Sequence, residues 1–393
     1  MNFLSEGVMK KISLIAAAAI FAAGCAGGSD KENNEQPSYY TDLQYRDSVL
    51  LAEGMIHYGN DPDAGSFDDI YYAFAARDNE RAKASADAAE AFRKKVDAMS
   101  HEERAYMEYI FSDYADLADL ANYSYKDSEV ELPDGWIDLG AGDAALAEII
   151  SRYSRPGVFS SGLKCSLMAK DNRRLLVFAG TDFPASWTDF SQVMDFVKDA
   201  YEDVNGALNA DASQVVMAGE LVDELLASGY VTEDNLEFAG HSLGGRLASE
   251  MAVRYNCPAV LFNAAGVSPE VYQMYESARK SAGNGWRGYI VDVTAANDPL
   301  THAQKYMSGS SDPFVSTAAD ALSVDKETVE ELLSIGLSAL GVSTDKYSDV
   351  VDKYYERDYR ALGAVMPVKE NMGGHGIKEL AAALRSRAEV CAD

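Results

Sequence analysis

Basic residues and cysteines are scarce in this sequence, and each scarcity excludes a class of function. The chain has 34 Lys and Arg residues against 63 Asp and Glu residues, which gives a formal net charge of −29. A chain this acidic repels nucleic acid and anionic membrane surfaces, so we expect no nucleic-acid partner. Cys165, Cys257 and Cys391 lie far apart without metal-ligand spacing. They allow at most one disulfide among them, and the sequence does not indicate which two would pair.

The apolar run at residues 12–23 is too short for a comfortable transmembrane helix. Two lysines precede it and small residues follow it, a pattern typical of a secretory signal. Because the pattern ends at Ala-Ala-Gly before Cys25, it resembles a bacterial lipoprotein signal. That resemblance implies that residues 1–24 are removed and that a lipid on Cys25 anchors the exported protein to the bacterial cell envelope, on its periplasmic or surface face. The alternative is an ordinary signal peptide with a chance cysteine.

The next part of the chain changes from a polar tether to a helical region. Residues 25–38 are polar and lack apolar periodicity, which indicates a flexible segment. Over residues 39–125, apolar residues recur three and four apart, and Ser100 with Glu103 forms a capping box. We therefore predict an all-helical N-terminal region over 39–125.

From residue 126 to residue 393, helical stretches alternate with short apolar runs, which predicts an α/β fold. The runs are LKCSLMA, RRLLVFAGTD, NLEFAGHS, PAVLFNAAG and GYIVDVTAAND. Runs buried on both faces and separated by helices indicate a mostly parallel sheet flanked by helices on both sides. The first two runs instead predict an antiparallel hairpin that turns at Asp171 and Asn172.

Small or functional residues directly follow four of these apolar runs. They are Gly-Thr-Asp, Gly-His-Ser, Asn-Ala-Ala-Gly and Thr-Ala-Ala-Asn-Asp. In a parallel sheet the carboxyl ends of the strands lie side by side at one edge, where α/β proteins place their sites. The sequence therefore predicts one site built from several loops.

Ser242 is the candidate nucleophile. Gly-His-Ser-Leu-Gly at 240–244 has the GxSxG spacing of a tight turn from strand to helix that leaves the serine exposed. The helix that follows points its N-terminus at the same place and favours negative charge there. The alternative is a purely structural glycine turn.

A serine nucleophile needs a base, and the sequence has only five histidines. Two of them lie in the N-terminal helical region, and we expect them at its surface or beside a cap. His241 adjoins Ser242, and neighbours on a sharp turn diverge, so we expect His241 to pack behind the loop. His375 lies on a glycine-flanked loop before the final helix, and we favour it as the base over His302.

The base needs an orienting acid, and Asp298 directly follows a buried apolar run. Ser242, Asp298 and His375 stand in the chain order of an α/β-hydrolase triad. His302 lies only four residues past Asp298 and would have to share that acid's own loop. Asp292 lies within the apolar run and is a poorer candidate. The alternative for Asp298 is that it only caps a turn.

The chemistry also needs an oxyanion hole, a pair of fixed donors for the negative charge of the tetrahedral intermediate. One predicted donor is the backbone N–H of Leu243, the residue after the nucleophile. The other is expected from the loop at Gly180 and Thr181, where the threonine hydroxyl adds a hydrogen bond.

Together these motifs resemble the class 3 lipases, the fungal triacylglycerol-lipase-like branch of the α/β-hydrolases. The resemblance covers residues 116–385 and rests on FAGTDFPASWTDF, FAGHSLGGRLASEMA, LFNAAGVSP, AANDPL and a late histidine. It implies the α/β-hydrolase fold, with site residues Ser242, Asp298, His375, Thr181 and Leu243. It implies no metal and no organic cofactor.

Several features depart from that family or stay open within it. Ala179 stands where the family usually has arginine, and the stretch after His302 is longer than expected. Residues 303–373 are either a cap over the site or extra helices packed outside it. Three aromatic residues are either lid or acyl-contact residues or plain core residues, namely Phe183, Trp187 and Phe190.

We expect a serine hydrolase that cleaves carboxylic esters through a Ser-Asp-His triad and an acyl-enzyme intermediate. Acyl lipids or hydrophobic esters are the favoured substrates. A serine peptidase or amidase could use the same triad, and a non-catalytic envelope binding protein with a decayed lipase site is a third hypothesis. The sequence does not indicate the oligomeric state.

Overall fold

The structure, a computed structural model, describes most of the chain from residue 39 onward. The described residues are 39–58, 78–125, 130–155, 162–180, 213–296, 298, 301, 362–371 and 373–393. The predicted signal peptide and tether lie outside these residues.

Helices and strands alternate over the described residues, in the order that the apolar runs predicted. The helices are α1 (Tyr39–Ala52), α2 (Asp78–Asp97), α3 (His101–Tyr123), α4 (Leu139–Gly142), α5 (Ala144–Tyr153), α6 (Ser213–Ala227), α7 (Leu243–Tyr255), α8 (Pro269–Ala282) and α9 (Ile377–Ala392). The strands are β1 (His57–Tyr58), β2 (Ile137–Asp138), β3 (Cys165–Lys170), β4 (Arg173–Phe178), β5 (Leu236–His241), β6 (Ala259–Phe262), β7 (Ile290–Ala295) and β8 (Ala364–Val368).

The strands form one mixed sheet in the order β1-β8-β7-β6-β5-β4-β3-β2. Strands β4 to β8 run parallel to one another, whereas β1, β2 and β3 pair antiparallel with their neighbours. The predicted hairpin is confirmed: β3 and β4 pair antiparallel, and Asp171 turns the chain with φ 52°. Aspartate tolerates this left-handed conformation better than most residues.

Helices cover both faces of the sheet, which confirms the predicted α/β architecture. Along β4, Leu175 and Val177 point into one buried cluster, and Leu176 and Phe178 point into the other. This alternation is the period of two that a β-strand imposes on its side chains. Helices α3 and α9 contribute to the first cluster, and α5, α6, α7 and α8 contribute to the second.

Helix α3 connects the N-terminal region to the sheet. It begins at the predicted capping box, in which Glu103 N–H donates to Ser100 Oγ (3.2 Å) and Ser100 N–H donates to the Glu103 carboxylate (2.7 Å). Its buried side chains, Met107, Ile110 and Phe111 among them, belong to the cluster on the face that α9 also covers. The N-terminal region therefore supplies a layer of the fold, and the predicted boundary between residues 125 and 126 stays a prediction.

Two strands at or next to one edge of the sheet, β1 and β8, are segments that the sequence did not predict as strands. His57–Tyr58 pairs with β8, so the N-terminal region, predicted to be all helix, also contains a short strand. Strand β8 lies within residues 303–373, so that part of the candidate cap belongs to the sheet. Two residues are too few for a periodic pattern, and Pro367 interrupts the strand signal of β8.

Among the described residues, the three cysteines Cys165, Cys257 and Cys391 are buried and form no disulfide. Burial raises the pKa of Cys257 to about 12 and that of Cys391 to about 11, so both remain thiols at neutral pH. Within the same residues, no helix has the length and apolar content needed to cross a membrane, and no cluster of His, Cys, Asp and Glu is placed to hold a metal ion.

Candidate active site

Ser242 lies on a strained turn between β5 and α7, at the carboxyl edge of the parallel strands. Its backbone has φ 59° and ψ −126°, a combination that L-residues rarely adopt. Such a conformation costs about 1–3 kcal/mol and persists only where the surroundings hold it. Here the Ser242 N–H donates to the carbonyl of Phe262 (3.1 Å), and the Ser242 carbonyl accepts from the N–H groups of Ala265 (3.0 Å) and Arg246 (3.2 Å). The neighbouring strand β6 and the loop after it therefore hold the turn in place.

The glycines of the GxSxG spacing are required by close backbone contacts. A Cβ atom on Gly240 would overlap the carbonyl of Gly244. A Cβ atom on Gly244 would in turn overlap the carbonyl of Phe178 at the end of β4. Helix α7 therefore begins against the ends of two strands, an approach that only residues without a side chain permit.

Asp298 and His375, although 77 residues apart in sequence, are in direct contact. Asp298 Oδ1 lies 2.7 Å from His375 Nδ1, and Asp298 Oδ2 accepts from the Thr301 N–H (2.8 Å) and the Thr301 hydroxyl (2.5 Å). Burial opposes ionisation of Asp298, but the charge of His375 and the hydrogen bonds from His375 and Thr301 outweigh it and hold the pKa below its usual value. Asp298 is therefore a buried carboxylate that fixes the His375 ring.

His375 also lies beside the Ser242 turn. The ring centroids of His375 and His241 are 4.7 Å apart, and the His375 carbonyl is 2.8 Å from His241 Nε2. The structure thus brings the predicted acid and base together and places His375 against His241, the residue before the predicted nucleophile.

His241 is buried and uses both ring nitrogens, as expected for a residue that packs behind the loop. Nε2 contacts the His375 carbonyl, and Nδ1 lies 2.7 Å from the hydroxyl of Tyr125. Burial, followed by the nearby His375, lowers the pKa of His241 to about 3. At neutral pH His241 is therefore a neutral ring.

The expected oxyanion donors are described only in part. Leu243 is the first residue of α7, and the first N–H groups of a helix have no acceptor within the helix. Gly180 lies against the nucleophile turn, since a Cβ atom placed on it would be 2.8 Å from Ser242 Cβ and 2.6 Å from the His241 carbonyl oxygen. Thr181, which follows Gly180, lies outside the described residues.

Two residues at the site were missed by sequence reasoning. Asn263, directly after β6, has φ 44°, accepts from the Ala295 N–H (2.8 Å) and donates to the Gly374 carbonyl (3.4 Å). It therefore joins the end of β7 to the loop of His375. The sequence did carry a signal for Asn263, because it is one of the small or polar residues that directly follow the apolar runs. Tyr125 follows the end of α3, and the sequence around it contains no recognisable motif that would have identified it.

The remaining candidates do not enter the described site. Asp292 is buried within β7, where one carboxylate oxygen accepts from the Ala264 N–H (3.3 Å). Cys25, Phe183, Trp187, Phe190 and His302 lie outside the described residues.

The mostly parallel sheet, its two helical layers and the strained serine turn at the carboxyl edge define an α/β-hydrolase-like fold. The comparison with protein families then identifies the particular group. A family model described as "Phospholipase-like: Tle-like phospholipase domain" matches residues 116–346, more than half of the chain. The chain therefore belongs to the Tle-like phospholipase domain family.

One curated relative agrees with a lipase-type family. The extracellular phospholipase A1 of Serratia liquefaciens is 37% identical to this chain over 112 residues. The match spans 28% of this chain and 29% of that protein, so the chain covers less than a third of its relative.

Proposed function

We propose that this protein hydrolyses a carboxylic ester of a phospholipid through Ser242, His375 and Asp298. The single observation that supports this most strongly is the Asp298–His375 contact of 2.7 Å beside the strained Ser242 turn. The family to which the chain belongs is described as phospholipase-like, and the partial relative is named a phospholipase A1. Both favour a phospholipid over other hydrophobic esters.

The contact with Asp298 prepares His375 to act as a base. A carboxylate only accepts hydrogen bonds, so the proton of a neutral His375 ring resides on Nδ1. The Nε2 nitrogen then keeps a free lone pair. In the proposed reaction, Ser242 Oγ attacks the ester carbonyl carbon while His375 Nε2 takes its proton. The buried Asp298 carboxylate stabilises the cationic ring that results.

The remaining steps use the other predicted groups. The oxyanion of the tetrahedral intermediate receives hydrogen bonds from Leu243 N–H and Thr181, after which the carbon–oxygen bond of the ester breaks. The leaving alcohol takes the proton from His375, and Ser242 keeps the acyl group. A water molecule, deprotonated by His375, then attacks the acyl carbonyl carbon; the bond from that carbon to Ser242 Oγ breaks, His375 returns the proton to Oγ, and the fatty acid leaves.

The location of the enzyme is proposed from its first residues. We expect export and lipidation at Cys25, which would hold the domain at the bacterial envelope close to its substrate. The relative's name describes an extracellular protein, which agrees with export.

The test is active-site labelling followed by lipid hydrolysis. The detergent-solubilised full chain is treated with a fluorophosphonate probe and then assayed on mixed phospholipid micelles, with released fatty acid and lysolipid measured by mass spectrometry. Ser242→Ala should abolish both signals. The matched control is Ser249→Ala in α7, the helix that follows Ser242, because the Ser249 hydroxyl is buried and donates to the Arg246 carbonyl (2.8 Å).

Three results would count against the proposal. The enzyme hypothesis fails if the wild type is not labelled, or if Ser242→Ala labels as well as the wild type. Faster cleavage of amides than of esters would instead support a serine peptidase or amidase.

A further inference from the structure

A chain of hydrogen bonds runs behind the site, outside the groups that the reaction uses. The Gly180 N–H donates to the Tyr125 hydroxyl oxygen (3.0 Å). That hydroxyl lies 2.7 Å from His241 Nδ1, and His241 Nε2 lies 2.8 Å from the His375 carbonyl oxygen. These hydrogen bonds therefore link four segments that are far apart in sequence, at Tyr125, Gly180, His241 and His375.

The chemistry of each group sets the direction of every bond. The His375 carbonyl can only accept, so His241 Nε2 must carry a hydrogen. His241 is neutral near pH 7 because burial and His375 lower its pKa to about 3. A neutral imidazole has one N–H, so Nδ1 accepts and the Tyr125 hydroxyl donates to it. The Gly180 N–H then bonds to a lone pair of the same hydroxyl oxygen.

The series of hydrogen bonds ends at the backbones of Gly180 and His375, in two segments that the proposed reaction requires. Gly180 ends the described part of the loop that precedes Thr181, the proposed oxyanion donor. His375 supplies the proposed base, and the bond from His241 holds its backbone while Asp298 holds its ring. His241 itself directly precedes Ser242, so the nucleophile turn lies between the two ends of this series of hydrogen bonds.

We propose that Tyr125 and His241 are positioning residues that hold the Gly180 loop and the His375 backbone in register with Ser242. This inference rests on the proposed function. In this proposal neither side chain contacts substrate. Tyr125 acts through the backbone of Gly180, next to Thr181, and His241 acts through the backbone of His375. Loss of the Tyr125 hydroxyl would leave the Gly180 N–H without this acceptor and His241 Nδ1 without this donor. The Gly180 loop and the His375 loop would then no longer be held in fixed positions relative to each other by these hydrogen bonds.

The test is Tyr125→Phe in the full chain, which removes the hydroxyl and retains the ring. The matched control is Tyr123→Phe, because the Tyr123 hydroxyl also forms a side-chain hydrogen bond, to Asp138 Oδ2 (3.3 Å), at the same helix end. We measure kcat and KM on a soluble p-nitrophenyl ester, with kcat expressed per serine titrated by a fluorophosphonate probe. The rate of labelling by that probe is measured as well.

For Tyr125→Phe, kcat per titrated site and the labelling rate should both fall roughly tenfold, with KM changed less than about twofold. Tyr123→Phe should remain within about twofold of the wild type. A merely structural role would lower the number of titratable sites and the melting temperature but leave kcat per site unchanged. That result in Tyr125→Phe would overturn the inference.

A second variant keeps the test decisive if Tyr125→Phe does not fold. His241→Gln can place an amide N–H near the position of Nε2 for the His375 carbonyl but has no polar atom at the position of Nδ1 for Tyr125, so it should show the same roughly tenfold loss per site. If both single variants fold, the double variant should lose little more than either one, since both break the same link. Additive losses would overturn the inference. A wild type that is never labelled would defeat the proposed function as well, whereas a labelled wild type matched by Tyr125→Phe defeats only this inference.

Discussion

Replacing Asp298 by asparagine should disable the site without disturbing its packing. Asp298 accepts one hydrogen bond from His375 Nδ1 on Oδ1 and two from Thr301 on Oδ2. Asparagine has only one oxygen, and two donors from Thr301 favour that oxygen on the Thr301 side. The side-chain amide nitrogen would then face His375.

An amide nitrogen donates, so His375 Nδ1 would have to accept and the ring proton would move to Nε2. Nε2 is the atom that must take the Ser242 proton, and in this tautomer it has no lone pair to do so. The same substitution in a serine protease triad, with the geometry retained, lowers kcat by about 10⁴-fold. We expect a loss in kcat/KM of about 10³- to 10⁴-fold, or roughly 4–5.5 kcal/mol of transition-state stabilisation.

The assay is kcat/KM on a p-nitrophenyl ester, with folding checked by thermal unfolding of each variant. The control is Asp292→Asn, which changes a second buried aspartate within β7, the strand that precedes Asp298, and should cost less than about tenfold per folded molecule. Asp298 is not the orienting acid if Asp298→Asn keeps more than about a tenth of the wild-type kcat/KM. The same conclusion follows if Asp292→Asn loses more kcat/KM than Asp298→Asn does.

Three further predictions follow from packing, proton linkage and the signal pattern. Gly244→Ala forces a Cβ atom onto the Phe178 carbonyl and should lower the free energy of unfolding by at least about 2 kcal/mol. In the control Gly142→Ala, the added Cβ meets no atom within 4 Å, so the free energy of unfolding should not fall in this way. Denaturant titration measures the free energy of unfolding of both variants. The pKa of His241 is about 3 in the folded protein, whereas the ordinary pKa of histidine is 6.5, so the unfolded chain binds more protons between these values and stability falls as pH drops through that window. His241→Gln should remove about 3 kcal/mol of the stability lost between pH 7.5 and 4.5, and an unchanged slope would contradict the buried neutral ring. Cys25→Ser should release the protein from the membrane fraction and abolish labelling by a fatty-acid analogue, and membrane retention of the variant would refute the anchor.

Much of the fold could be predicted because its signals are local. Apolar runs of strand length, separated by amphipathic helices, indicated a parallel sheet covered on both faces. The turn at Asp171 and the capping box at Ser100 depend on residues within a few positions of each other, so the sequence displays both. Signals failed where an element was too short for periodicity, as in His57–Tyr58, or interrupted by proline, as in β8.

The sequence by itself determined the local chemistry of the nucleophile turn. GxSxG spacing follows from sterics between backbone atoms a few residues apart and against the adjoining strand, so Gly240, Ser242 and Gly244 could be singled out without coordinates. The order of serine, acid and histidine along the chain then narrowed the partners to Asp298 and His375.

Only the tertiary structure decided which distant groups meet. Tyr125 reaches His241 across 116 residues and Asn263 reaches Gly374 across 111, and neither contact has a sequence pattern. An amphipathic helix such as α3 shows that it must bury one face, but not which layer it will cover. Such contacts depend on how complete elements pack, since each one is a meeting of side chains whose separation along the chain carries no information about their separation in space.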